Sequence, residues 1–214
     1  MNISFLCSDQ FHPVNEYIDK WIEQHFSEHH IELVSSKSEL SGGDLLFLIS
    51  CSEIINSEDR SSYKACLVIH ASDLPLGRGW SPHIWQILEG KNDIIISLLE
   101  AEDKVDSGRI WKKLNLKISR HALWNEINEK LFEKEIELID FAVSNFDSVI
   151  PEPQDFNLKP TYYPKRTPAD SKIDAFKSIA SQFDSIRVCD PHRFPAFFEM
   201  EGKKYKIILE RIND

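Results

Sequence analysis

The sequence holds no apolar run near the roughly 20 residues a membrane-crossing helix needs. Its opening, Met1-Asn2-Ile3-Ser4-Phe5-Leu6, lacks the basic start of a secretory signal. A helical membrane protein is thereby excluded, and the expectation is a soluble cytoplasmic protein with no membrane partner. Paired cysteines are missing too. Cys7, Cys51, Cys66 and Cys189 stand far apart with no CxxC, and three of them fall in apolar runs that read as strands. Buried free thiols are therefore expected, with no disulfide framework and no metal site. Positive charge is short, since 25 Lys and Arg against 35 Asp and Glu leave a net −10 at pH 7. Such a field opposes tight binding to a nucleic-acid backbone, so no nucleic-acid partner is expected. There is no internal repeat and no low-complexity tract.

What is present is globular: 214 residues, 42% hydrophobic and 28% charged, enough for a main domain with a small appendage. Asn2 to Ser8 begins as an apolar strand, and Val14, Tyr17, Ile18, Trp21, Ile22 and Phe26 then recur at helical spacing. Ile31–Val34, Asp44–Ser50 and Cys66–Ile69 read as further strands, the last two apolar on both faces, as in a parallel sheet covered on both sides. Ser81-Pro82 predicts a helix start, with Ser81 as side-chain cap, and Gly90 its end. Asp93–Leu99 is a strand, Arg109–Trp111 begins another, and a long helix runs from about Arg120 with Leu123, Ile127, Leu131, Leu138 and Ala142 on one face. Composition shifts at Pro151-Glu152-Pro153, which predicts a linker over 151–170 between a domain at 1–150 and a small region at 171–214. That region reads as a short helix near Asp174 to Phe183, then a hairpin of Ala196–Met200 and Tyr205–Leu209. The expected fold is α/β, Rossmann-like, a parallel sheet with helices on both faces plus a C-terminal β-hairpin.

The strand that ends in His70 runs into Ser72, Pro75, Gly77 and Gly79, which puts an imidazole at the carboxyl end of a strand where open α/β sheets bind ligands. Val105-Asp106-Ser107-Gly108 is an acidic turn after a later strand, and a carboxylate beside a histidine holds its tautomer and raises its basicity.

The residues His70, Ser72, Leu74, Pro75, Arg78, Gly79 and Pro82 make up a His-x-Ser-x-Leu-Pro-x-x-Arg-Gly-x-x-Pro segment, and Asp106 follows His70 by 36 positions. This resembles the formyltransferases that use 10-formyltetrahydrofolate. Tyr163-Pro-Lys-Arg-Thr-Pro-Ala-Asp-Ser171 and Phe194-Pro-Ala-Phe-Phe198 are similar to segments of the short sugar-nucleotide N-formyltransferases of the pseudaminic-acid type. The resemblance implies formyl transfer from 10-formyltetrahydrofolate to the amine of a nucleotide-linked 4-amino-4,6-dideoxy sugar in surface glycan biosynthesis, with His70 and Asp106 handling protons and no metal. It implies a folate pocket lined by Leu74, Pro75, Gly79, Leu99, Glu100 and Ala101. The acceptor would be met by Ser72, Arg78, Trp80, Tyr163, Lys165 and Arg166, with Arg78 either a diphosphate ligand or a brace for its loop. A homodimer is allowed.

One departure stands out. The family carries Asn two residues before the histidine, where its amide helps hold the formyl oxygen, and this chain has Val68. An apolar side chain donates nothing, so either another group serves, from the backbone of the Ser50-Cys51 strand end or a nearby polar side chain, or the enzyme is slow, or its branch arranges the site differently; an impaired enzyme serving as a binding protein is the non-enzymatic alternative. A formyl-folate hydrolase, with water in place of the amine, uses the same site.

Overall fold

A computed structural model describes residues 1–212. In chain order it contains β1 (Asn2–Leu6), α1 (Asn15–His25), β2 (His30–Val34), β3 (Gly43–Leu48), α2 (Ser57–Ser61), β4 (Tyr63–His70), β5 (Arg78–Gly79) and α3 (Pro82–Leu88). There follow β6 (Asp93–Glu100), β7 (Ile110–Lys117), α4 (Trp124–Ser144), β8 (Tyr162–Tyr163), α5 (Phe183–Arg187), β9 (Ala196–Met200) and β10 (Lys203–Ile207). Six strands form one sheet in the order β2-β1-β3-β4-β6-β7. Its two faces explain the doubly apolar strands. Ile18 and Trp21 of α1 and Ile127, Leu131, Leu138 and Ala142 of α4 bury one face against Phe5, Phe47, Ile94 and Leu98. Leu6, Leu46, Tyr63 and Cys66 pack with Ile55 on the other. Cys7, Cys66 and Cys189 are free and buried, and Cys51 is free and half-buried.

The α/β architecture and the terminal hairpin match expectation, but the sheet is mixed rather than parallel throughout. β2, β1, β3 and β4 run parallel. β6 runs antiparallel to β4, with His70 opposite Ser97 and Leu67 opposite Glu100, and β7 is antiparallel to β6. A strand buried on both faces has the same apolar pattern in either direction, so periodicity carries no sign of this reversal.

Three local expectations are corrected. Ser81 makes no side-chain cap; it takes a left-handed conformation (φ 46°) ahead of Pro82, which does occupy the first helical turn. The Trp80 amide is already bonded to Tyr163 O at 3.1 Å, so the chain must turn sharply between β5 and α3, and Ser81 absorbs that turn. The helix expected near Asp174 to Phe183 lies further on, at Phe183–Arg187. Gln182 explains the shift, since its side chain accepts from Asp174 N at 2.7 Å and donates to Asp174 O at 3.0 Å. Such bonds offer the backbone an alternative to the helix. In the hairpin the turn is Glu201-Gly202, both with positive φ, and the second strand starts at Lys203, two residues before the expected Tyr205.

Residues 151–170 are not a free tether. Ile110 N donates to Glu152 O at 2.7 Å and Glu152 N to Ile110 O at 2.9 Å. Further on, β8 pairs in parallel with β5, Arg78 opposite Tyr162 and Gly79 opposite Tyr163.

Candidate active site

β4 delivers His70 to its carboxyl end, where the residue is 6% exposed. Its Nε2 lies 2.8 Å from Gly77 O. A carbonyl only accepts, so Nε2 carries a hydrogen. Nδ1 faces Asp106 Oδ1 at 3.5 Å, which gives each ring nitrogen an acceptor. Asp106 Oδ2 in turn accepts from Gly79 N at 2.8 Å. The pair therefore joins two loops, the one after β4 and the one between β6 and β7.

The acidic turn has its own demands. Asp106 is left-handed (φ 55°), which Asp tolerates better than most residues. A Cβ at Gly108 would overlap the Glu100 carbonyl, so the third residue of the turn must be glycine. At Gly79, with φ 99°, a Cβ would meet Tyr163 O. The two glycines let a turn and a strand approach the site at backbone distance.

The residues expected around a folate divide into two groups. Leu74, Pro75 and Leu99 are buried and hold the loop down, and Lys113 adds a clamp by donating to Leu74 O at 2.9 Å. Glu100 N is bonded to Arg109 O and Ala101 N to Cys66 O. Their amides are thus committed to backbone partners. Ser72 is sealed at 1% exposure, with its Oγ lacking a partner and its carbonyl accepting from Ser97 Oγ at 2.7 Å. Arg78 is also buried. It donates to Gln154 Oε1 at 2.6 Å and lies 3.5 Å from Tyr162 OH, so it braces the loop.

The remaining expected acceptor residues form an exposed ledge. Trp80 is 43% exposed, and Lys165 Nζ sits over its ring at 4.4 Å. Arg166 lies over Trp85 at 5.8 Å, and Trp85 stacks on Tyr163 at 6.2 Å between ring centroids. Tyr163 OH donates to Glu89 at 2.9 Å. Burial, and then Glu89, push that phenol up to about 12, so it stays a donor. Among the described residues, no group of three or more His, Cys, Asp or Glu could hold a metal ion.

Several polar groups here had no signal in the sequence. His83 on α3 is pushed down to about 4, first by burial and then by charge on His70, His12 and Arg166, and His12 falls to about 4 through burial and Arg193. Both are neutral near pH 7. Glu135 on α4 has one enclosed oxygen with no partner, and burial raises its carboxyl to about 8. Gln154 and Thr161, which bond to the loops carrying His70 and Asp106, were also missed. Val68 lies on the His70 side of β4, in register with Leu48 and Leu99. Beyond the end of the neighbouring β3 at Leu48, the chain reaches Ser50, which is left-handed (φ 49°).

A family model described as formyl transferase matches residues 8–143. The methionyl-tRNA formyltransferase of Rickettsia prowazekii is 33% identical over 144 residues, which are 67% of this chain and 46% of that protein. The chain thus spans about half the length of the curated relatives it matches. Among solved structures, a methionyl-tRNA formyltransferase from Clostridium thermocellum has a TM-score of 0.81 at 22% identity, covering 97% of each chain. A sugar N-formyltransferase from a Shewanella species has 0.72 at 17%, covering 100% of this chain and 99% of that one. HypX from Aquifex aeolicus in complex with tetrahydrofolic acid has 0.78 at 22%, covering 94% and 36%. These structural likenesses speak to the fold.

Proposed function

The chain belongs to the formyl transferase family, and from that premise we propose that it moves a formyl group from 10-formyltetrahydrofolate to the amine of a nucleotide-linked 4-amino-4,6-dideoxy sugar. The folate supplies an activated one-carbon unit. The residues suit such a donor, because the buried His70–Asp106 pair lies beside an exposed turn after β6. His70 Nε2 carries a hydrogen that can turn from Gly77 O to the formyl oxygen, where negative charge collects as the amine attacks. As the folate nitrogen departs, His70 gives it the Nε2 proton and takes at Nδ1 the proton that Asp106 has drawn from the amine, so the pair ends with as many protons as it began with. Asp106 holds the imidazole through Nδ1 and draws off the proton that the amine must lose.

The observation that carries the choice of acceptor is the ledge. Two cations, Lys165 and Arg166, are held over two indoles in a chain of net charge −10. Two cations braced on aromatic faces suit the phosphates of a nucleotide diphosphate. A second reading, formylation of an aminoacyl-tRNA, is favoured by the methionyl-tRNA formyltransferases among the sequence relatives. The acidic balance opposes it, because a tRNA backbone needs a broad basic surface. One assay decides between them. The protein is incubated with 10-formyltetrahydrofolate and either a panel of nucleotide-linked 4-amino sugars or methionyl-tRNA, with products read by mass spectrometry. An N-formyl sugar nucleotide is expected, and N-formylmethionyl-tRNA as the sole product would overturn the choice.

A further inference from the structure

We infer that Gln154, in the segment between α4 and β8, is a positioning residue that sets the geometry of the His70–Asp106 pair. The inference rests on the formyl-transfer reading for its kinetic part. Gln154 Oε1 accepts from Arg78 Nη2 at 2.6 Å, and its Nε2 donates to Asp106 O and to Gly108 O, each at 2.9 Å. One amide thus reaches both loops of the site. Its orientation is fixed by chemistry. A guanidinium only donates and carbonyls only accept, so turning the amide over would set an NH2 against Arg78 and an oxygen against two carbonyls.

The two loops meet at three points. Asp106 faces His70 with Oδ1 and takes the Gly79 amide with Oδ2, and Gln154 adds the third link, from Arg78 to the backbone of the acidic turn. The link steadies the turn, because Asp106 is left-handed, a conformation that even Asp adopts at some cost. Thr161, seven residues on, acts on the other loop. Its Oγ1 accepts from Gly77 N at 2.8 Å and its carbonyl from Arg78 N at 2.9 Å, while Gly77 O accepts from His70 Nε2. Gln154 therefore touches neither reacting atom but holds the backbone from which Asp106 reaches His70. Without its amide, Asp106 O, Gly108 O and Arg78 Nη2 lose these bonds, and the side chain of Asp106 is left to join the two loops through His70 and Gly79 N.

The test uses the full chain with Gln154→Ala and with Gln154→Met, which keeps the volume and removes the bonds. Steady-state kinetics are read for both substrates, and the His70 ring resonances are followed by NMR without substrate. We expect kcat to fall at least tenfold in both variants, with both KM values within threefold of wild type and the His70 ring resonances shifted. A kcat within twofold of wild type, a loss confined to KM, or an unmoved His70 signal overturns the inference. Failure of both variants to fold also counts against it, since it would assign Gln154 to stability alone. If the wild type formylates no acceptor, the functional reading fails instead, and the His70 signal by itself decides the role of Gln154.

Discussion

Replacing Glu135 with Gln should flatten the pH dependence of stability above neutrality. Glu135 Oε2 is enclosed without a partner although the residue as a whole is only half-buried, and burial lifts its carboxyl from the ordinary 4.5 to about 8. The folded protein therefore holds a proton that the unfolded chain has released across this range. Stability falls wherever the folded state binds more protons, so the contribution is fully present below pH 4.5 and is lost as pH rises through about 8. The slope is roughly 1.4 kcal/mol per pH unit and flattens near the pKa, so about 1.5 to 2 kcal/mol disappears between pH 6.5 and 8. His12 and His83 act in another window. Their folded values lie near 4, below the ordinary 6.5, so their contribution is present above 6.5 and is lost as pH falls toward 4. Urea unfolding of wild type and Glu135→Gln at pH 6.5 and 8 isolates the carboxyl, because every other group is common to both proteins. The wild type should lose that stability and the variant should not. Parallel pH dependence in the two proteins would refute the burial argument.

Three further outcomes follow from the site. His70→Asn and Asp106→Asn should each lower turnover by orders of magnitude, while the double variant adds little to either, because the pair shares one proton task; additive losses in steady-state kinetics would separate their roles. Lys165→Ala with Arg166→Ala should raise KM for the sugar nucleotide at least tenfold and leave folate binding within twofold, read by titration of each ligand; equal effects on both would remove the ledge from the acceptor side. Val68→Asn should leave turnover equal or lower and cost less than about 1 kcal/mol of stability, because the position beside Leu48 and Leu99 is only half-buried and leaves part of the amide within reach of water. A tenfold gain in rate would show that the missing donor has no replacement.

The sequence disclosed most of what runs along a single stretch of chain. His70 at a strand end, the acidic turn at Asp106, the apolar stripe of α4 and the hairpin near Gly202 were all readable from local spacing. It did not disclose strand direction, because β6 is apolar on both faces and looks the same either way up. Nor did it disclose what depends on distant residues. Gln154 and Thr161 sit in a proline-bearing stretch with no periodicity, and their partners lie 46 to 84 positions away. Arg78 was readable as ligand or brace, and only the position of Gln154 puts it on the bracing side. His83 and Glu135 lie on helices, and what perturbs them is enclosure by other segments.

The β5–β8 pairing also orders events during synthesis. Gly77 and Thr161 are 84 residues apart, so the strands of the large sheet, complete by Lys117, and helix α4, complete by Ser144, leave the ribosome before Tyr163 does. At about 5 to 20 residues per second, the stretch from Ser144 to Tyr163 takes roughly 1 to 4 s to make. For that interval a nascent chain can carry a formed sheet, with His70 and Asp106 in place, whose catalytic loop has no partner strand. A growing polypeptide arrested there would display the chemical groups of the site without the clasp that aligns them. Competence for chemistry is thus deferred to a segment translated after the large sheet and α4.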